Sequence, residues 1–174
     1  ESCSIWMQYI TAYYPFVEIA RIKEGDCVLI GAASSSAGLG AIDIVKSCGG
    51  NVIAATRSQK KINFLQNYGA DKIIDTTEGN FSEKILEFTN GKGVRSVYDP
   101  IGNSFYEKYL DVLQMGAIVF HFGLLSGESI KIDISRHVRK NSFFLPYSMF
   151  NYVSEQSSLL RGVDYITEKT KEGI

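Results

Sequence analysis

The sequence predicts a doubly wound α/β domain: a six-stranded parallel sheet with helices on both faces and strand order 3-2-1-4-5-6. Three observations carry this expectation. Short apolar, β-branched runs alternate with stretches of helical period, the pattern of crossover βαβ units, which are right-handed and build parallel sheets. The first such run leads straight into a turn of small residues that opens a helix. The composition, 45% hydrophobic and 21% charged over 174 residues, is that of a globular chain of about one domain with surplus for an appended helix.

The elements follow in order. Asp26–Gly31 is the first strand, a β-branched run bounded by glycine and expected to be buried on both faces. Ala37–Cys48 places Leu39, Ile42, Ile44 and Val45 along a helix that Gly49 and Gly50 stop. Asn51–Thr56 is the second strand. Ser58 is expected to cap a helix carrying Ile62, Phe64, Leu65 and Tyr68 up to Gly69, and Lys72–Ile74 is the third strand. Ser82 and Glu83 open a helix through Thr89, and Arg95–Asp99 is the fourth strand, stopped at Pro100. A helix from Asn103 or Ser104 through Gln114, a fifth strand Ala117–Phe122 and a sixth Ser142–Leu145 complete the sheet. Ser154–Glu172 is a final helix.

Charge and cysteine content narrow the function. The 18 basic and 19 acidic side chains leave a net charge of -1, which argues against sequence-independent binding of nucleic acid, where a basic excess neutralises phosphates. Cys3, Cys27 and Cys48 are odd in number and widely spaced, so they read as thiols of a reducing cytoplasm. His121, in a strand, is expected to be a satisfied core histidine, and His137, beside Arg136 and Arg139, a surface residue. Neither forms an H-x-x-x-H pair or joins a cysteine cluster, so no metal site is predicted. No apolar run reaches the roughly 18 to 20 residues of a membrane span. The opening Glu1-Ser2-Cys3-Ser4 lacks the basic start and long apolar stretch of a signal peptide. The absence of an initiator Met suggests a piece of a longer polypeptide.

The chemistry begins in the turn Gly31–Gly40. Aligning Gly38 with the last glycine of G-x-G-x-x-G puts Ala33 and Ser35 at the first two glycine positions. Small residues there let backbone approach a pyrophosphate while helix amides and the positive end of the helix dipole face the anion, and Ser34, Ser35 and Ser36 add hydroxyls. NAD-binding domains place an acidic residue about 20 residues further on. Here that position is Thr56, followed by Arg57, Ser58, Gln59, Lys60 and Lys61. Cations pair with a 2′-phosphate through charge-assisted hydrogen bonds, so NADPH is expected over NADH. Ligands of open parallel sheets sit beyond the carboxyl ends of the strands. Asp99–Asn103 and His121–Gly127, each with a glycine at a strand exit, are expected to line the same crevice as the first turn.

In this order, Trp6–Tyr13, Gly31–Gly38, Gly69-Ala70-Asp71, Tyr98–Gly102 and Phe122–Glu128 resemble the medium-chain dehydrogenase/reductase superfamily, and within it the zinc-independent quinone oxidoreductase-like branch often labelled zinc-binding alcohol dehydrogenase. The resemblance extends to about Met149. It implies a Rossmann-fold cofactor domain and NADPH-dependent hydride transfer to a quinone, activated alkene or carbonyl substrate, a small molecule. It also implies a GroES-like catalytic domain that these residues do not contain, so the catalytic residues stay unassigned. The implied organisation is a leading helical segment over 1–22, the dinucleotide-binding domain over 23–153 and a C-terminal helix over 154–174. In the family, the segment matching Thr11 lies under the nicotinamide and the Ser34–Gly38 turn, Ala37 included, holds the pyrophosphate. Thr56, Arg57, Ser58 and Lys61 receive the adenosine end with its 2′-phosphate. Ile101, Gly102, Phe122, Gly123 and Leu124 flank the nicotinamide ribose, with Phe144 as a neighbour. Ser35 in place of the middle glycine is a departure.

Two other classes compete. A nucleotide-binding sensor or scaffold would share the fold without chemistry. A methyltransferase-like domain for S-adenosylmethionine would ordinarily present an acidic residue where Thr56-Arg57 stand. The apolar stretch 142–150 reads as an edge strand, a hazard unless paired or covered. Relatives commonly pair that edge across a dimer axis, and a homodimer is the expectation.

Overall fold

The computed structural model describes residues 2–173, with side chains from Trp6 onward; Glu1, Ile174 and the Cys3 thiol lie outside the described residues. The strands β1 (Cys27–Ile30), β2 (Asn51–Thr56), β3 (Lys72–Asp75), β4 (Val94–Asp99), β5 (Leu113–His121) and β6 (Phe143–Pro146) form one sheet in the order β3-β2-β1-β4-β5-β6. Every pairing is parallel. The order reverses between β1 and β4, so the crevice that such a reversal opens lies beyond Ile30 and Asp99. Val28, Leu29 and Ile30 are fully buried, as a central strand covered on both faces requires.

Alternation of side chains divides the core. On one face Val28, Ile30, Val52, Ala54, Tyr98 and Phe120 pack under α1 (Ser2–Tyr13), α2 (Ser36–Ser47) and α3 (Ile62–Tyr68). On the other, Leu29, Ile53, Val97 and Val119 pack under α4 (Phe81–Phe88) and α5 (Asn103–Tyr109). The α6 helix (Ile134–Lys140) flanks β6, and α7 (Phe150–Val153) and α8 (Gln156–Glu172) return to the first face, where Ile166 joins the core.

Helix α2 is seated by two glycines. A Cβ on Gly38 would lie 2.5 Å from the Ala33 carbonyl oxygen, and one on Gly40 would lie 2.6 Å from that of Gln8 in α1. The phenols of Tyr9 in α1 and Tyr68 in α3 both donate to Asp43 Oδ2 at 2.8 Å, tying three helices together. Burial raises the Asp43 carboxyl above its ordinary range, and burial together with that carboxylate pushes Tyr9 up to about 12. Pro15 lacks an N–H and crowds the carbonyl four residues back. The chain accordingly leaves α1 through a π-helical stretch, Tyr14–Ile19.

Several boundaries differ from the sequence expectation. Ser58 caps nothing with its hydroxyl; its amide donates to Thr56 Oγ1, and a 3₁₀ turn over Gln59–Lys61 precedes α3. Ser82 lies inside α4, which starts at Phe81, and its hydroxyl donates to the Lys108 carbonyl in α5. The helix expected through Gln114 stops at Tyr109 because Leu113 pairs with Val94 and starts β5 early. The extra residues are absorbed by a register shift in which Gly116 adopts φ +73 and Arg95 Nη1 donates to the Gly116 carbonyl at 2.8 Å. The final helix begins at Gln156, after the separate turn α7.

Both histidine expectations are overturned. His137 is buried: its Nε2 lies 3.0 Å from the Tyr106 hydroxyl and its Nδ1 2.7 Å from Ser142 Oγ. The cause is α6 turning that face inward against α5 and β6. His121 Nδ1 is buried without a hydrogen-bond partner, 3.8 Å from Asp99 Oδ2, because the ring stacks on Phe144, 5.7 Å between centroids, rather than turning to the carboxylate.

Two predictions follow from this packing. In an exposed helix Gly→Ala gains about 1 kcal/mol, but overpacking costs about 1–3 kcal/mol, so Gly40→Ala should lower Tm by a few degrees in a thermal melt. Burial holds His137 below its ordinary histidine range. The unfolded chain therefore takes up the proton first, and stability present above about pH 6.5 is lost as pH falls toward the folded value. Melts between pH 7.5 and 5.5 should show that loss, with a smaller change in His137→Gln.

Candidate functional site

The carboxyl ends of the strands gather most of the predicted residues. The first turn leaves β1 with the Gly31 amide bound to the Tyr98 carbonyl and the Ala33 amide bound to that of Ala55, so it spans β4, β1 and β2. Ala32 adopts φ +47 there, the left-handed conformation a glycine would hold more cheaply. Ser35 is the N-cap of α2, its hydroxyl accepting from the Gly38 amide at 3.1 Å. The hydroxyls of Ser34 and Ser36 flank it, half-buried and exposed. With the Gly31, Ala33, Ser35 and Gly38 amides taken up inside the turn, the positive end of the twelve-residue helix and the Ser34 and Ser36 hydroxyls are what is left for a ligand in the crevice.

At the end of β2, Thr56 is buried, and its hydroxyl accepts from the Ser58 amide. Arg57, Lys60 and Lys61 are exposed, and among the described residues none of them joins an ion pair. Lys61 Nζ lies over the Phe64 ring at 5.6 Å. The neighbouring acid, Asp75, is opposite Thr56 in register. It is taken up by the Thr77 hydroxyl and amide and by Gln59 Nε2, which hold it below the usual carboxylate range. The cations are therefore available to a ligand.

Across the reversal point the sequence reading named the loop after β4 but missed what fixes it. Asp99 is fully buried; its Oδ1 accepts from the Ile101 amide at 2.7 Å and the Gly102 amide at 2.9 Å, and its Oδ2 accepts from the Tyr109 hydroxyl at 2.8 Å. Burial and this carboxylate push Tyr109 well above the ordinary phenol value. An Asp followed two residues on by a bound amide is an Asx turn, a signal present in Asp99-Pro100-Ile101. Gly102, at φ +74, leaves room for Ile130 and His121, which a Cβ would meet at 3.0 and 3.1 Å.

The loop after β5 is braced on the loop after β4. The Phe122 amide donates to the Asp99 carbonyl, Leu125 to Pro100 and Ser126 to Ile101. Gly123 packs against Pro100, whose carbonyl oxygen a Cβ would meet at 2.8 Å. Phe122 stacks on Tyr98 with 4.0 Å between centroids, and Leu124 is exposed. Thr11 stands apart on α1, its hydroxyl donating to the Met7 carbonyl and touching Met149 Sδ at 3.0 Å beyond the end of β6. Phe144 lies inside β6, its ring against Tyr106, His137 and His121. Among the described residues no three His, Cys, Asp or Glu side chains gather as a metal site needs, and no helix is long and apolar enough to cross a membrane.

Removing the Asp99 carboxylate would strand two amides and a buried phenol, each costing about 1–3 kcal/mol. Asp99→Ala should therefore lose at least about 3 kcal/mol in urea unfolding, and Asp99→Asn, which keeps one acceptor oxygen, clearly less.

Comparison with known proteins agrees with this geometry. The family described as zinc-binding dehydrogenase matches residues 37–167. The 2-haloacrylate reductase of a Burkholderia species is 28% identical over 172 residues, 98% of this chain and 52% of that protein. A crystal structure of 2-haloacrylate reductase aligns with TM-score 0.90 at 28% identity, over 98% of this chain and 53% of that one. Escherichia coli quinone oxidoreductase complexed with NADPH aligns with TM-score 0.82 at 27% identity, over 91% and 49%. The chain spans about half the length of these relatives. With most of its residues inside the family match, the chain belongs to the zinc-binding dehydrogenase family.

Proposed function

We propose that this chain is the NADPH-binding domain of a longer oxidoreductase that passes hydride to a quinone, an activated alkene or a carbonyl compound. One observation carries the reading: the seated N-terminus of α2 borders one crevice with three exposed cations, Arg57, Lys60 and Lys61, that join no ion pair among the described residues. The residues fit the cofactor. Backbone amides and the hydroxyls of Ser34, Ser35 and Ser36 suit a pyrophosphate, with Ala37 and Gly38 keeping the helix start small. Thr56 offers no carboxylate to repel a 2′-phosphate, and Arg57, Ser58 and Lys61 offer cations and a hydroxyl to receive it.

When bound, NADPH supplies a hydride to an electron-poor carbon of the acceptor and leaves as NADP⁺, while a proton from water completes the reduction. The chain's own share would be orientation: Ile101, Gly102, Phe122, Gly123 and Leu124, on loops braced by Asp99, would flank the nicotinamide ribose, with Thr11 and Phe144 further out. The relative from Escherichia coli, complexed with NADPH, supports this. The family description names zinc; among the described residues no metal-ligand cluster is present.

In this reading 23–153 is the cofactor domain, 1–22 and 154–174 are the segments that flank it, and the catalytic domain belongs to the rest of the enzyme. A homodimer through the edge strand of 142–150 is part of it: among the described residues β6 is the sheet edge, paired with β5, and Phe143, like Ile134 and Val138 of α6, is exposed. Free thiols at Cys27 and Cys48 support a reducing, cytoplasmic setting.

Calorimetric titration at low salt should show NADPH binding more tightly than NADH. Arg57→Ala or Lys61→Ala should weaken NADPH by about 10-fold or more, the worth of a charge-assisted hydrogen bond, and leave NADH nearly unchanged. Tighter binding of NADH would overturn the role of the cations.

A further inference from the structure

The cations after β2 have an acid for a neighbour. Asp75 closes β3 opposite Thr56, one strand over from the position where NAD-binding domains carry their ribose-binding carboxylate. It is 5% exposed, and among the described residues no Lys or Arg pairs with it. Its two oxygens are used differently. Oδ1 accepts from the Thr77 amide at 2.8 Å and the Thr77 hydroxyl at 2.7 Å, both within its own turn. Oδ2 accepts from one group, Gln59 Nε2 at 2.7 Å. Gln59 opens the 3₁₀ turn that carries Lys60 and Lys61, so Oδ2 is turned toward the cation-bearing segment, and the one hydrogen bond that occupies it comes from an exposed side chain. An exposed amide with water at hand gains little folding stability from such a bond. Its consequence lies in what the carboxylate is kept from doing.

We propose that Gln59 determines the cofactor preference of this site: by occupying Asp75 Oδ2 it withholds from the ligand a carboxylate oxygen that would repel a 2′-phosphate and accept a ribose 2′-hydroxyl. The proposal rests on the NADPH reading, which places the adenosine end at Arg57–Lys61. A carboxylate oxygen with free lone pairs takes an O–H donor and opposes a phosphate; one already bound to a donor, and held by it in a fixed direction, does both less well. Thr56 has no carboxylate, so Asp75 is the acid through which this end of the crevice would favour NADH, and Gln59 is the residue that occupies it. The cations supply attraction for the 2′-phosphate, and Gln59 suppresses the group that opposes it. Discrimination between two ligands that share their other contacts needs both. The acid has a structural use of its own, since its Oδ1 closes the turn after β3 on Thr77.

The test is a double-mutant cycle on the full-length enzyme, with NADPH and NADH affinities read from nicotinamide fluorescence. Gln59→Met keeps the length of the side chain and removes the donor. Asp75→Asn removes the charge and keeps an acceptor for Thr77; should it not fold, Asp75→Thr takes its place. Gln59→Met should lower the ratio of NADPH to NADH affinity by about 10-fold, with NADPH weakening and NADH holding or tightening. In the Asp75→Asn background the same change should move the ratio by less than about twofold, because no carboxylate is left to release. An unchanged ratio in Gln59→Met, or an equal fall in both backgrounds, with the unmodified enzyme still preferring NADPH, would overturn this proposal alone; the equal fall would mean that Gln59 meets the phosphate directly. An unmodified enzyme that binds neither cofactor, or prefers NADH, would overturn the cofactor reading and this inference with it.

Discussion

The seat of α2 is the constraint on which the rest of the molecule depends. Gly38 lets the helix start touch the Ala33 backbone, and Gly40 lets the same helix touch α1 at Gln8. No side chain fits in either gap, so the helix has one position along β1 and one distance from α1. The Asp43 carboxylate then draws in phenols from α1 and α3, so α1, α2 and α3 are tied together on that face. An anion site at a helix start works only if that start is immobile, and here packing holds it together with the Ser35 cap on the Gly38 amide.

The opposite side of the crevice is built on another principle. There a single buried carboxylate, Asp99, organises two amides of its own loop and the Tyr109 hydroxyl of α5. The loop after β5 is then hung on the loop after β4 by backbone hydrogen bonds. One half of the crevice is fixed by the absence of side chains and the other by a polar anchor. The division matches the chemistry each half presents, cations and hydroxyls suited to phosphate at one end and apolar surface at the other. A buried carboxylate is costly unless its lone pairs are used; Asp99 uses three donors, and the loop it holds gains its rigidity from that requirement.

Much of the fold was legible from periodicity. Strand order, the parallel sense and the glycine stop after α2 all follow from apolar runs, crossover length and Gly49, which adopts φ +79. The boundaries that differ share one cause: a choice between equally plausible local structures was decided by a distant partner. Leu113 fits a helix or a strand until Val94 pairs with it. Ser58 and Ser82 look like caps, yet the amide of one and the hydroxyl of the other answer to Thr56 and Lys108. His137 sits among charged neighbours in sequence and is nevertheless buried, because Tyr106 and Ser142 arrive from α5 and the start of β6 to bond both ring nitrogens.

By itself the sequence determined the class of the sheet, the small-residue turn after the first strand and the cations that replace an acidic residue after the second. These are properties of adjacent residues, and short-range sterics and charge suffice to read them. The tertiary structure alone decided that Asp99 braces the β4 loop, that the β5 loop leans on it, that Arg57, Lys60 and Lys61 join no ion pair among the described residues, and that Leu124 and Leu125 stand out of the core. Each of those depends on which groups meet across the sheet, and a hydrogen bond or a burial has no meaning until both partners are in place.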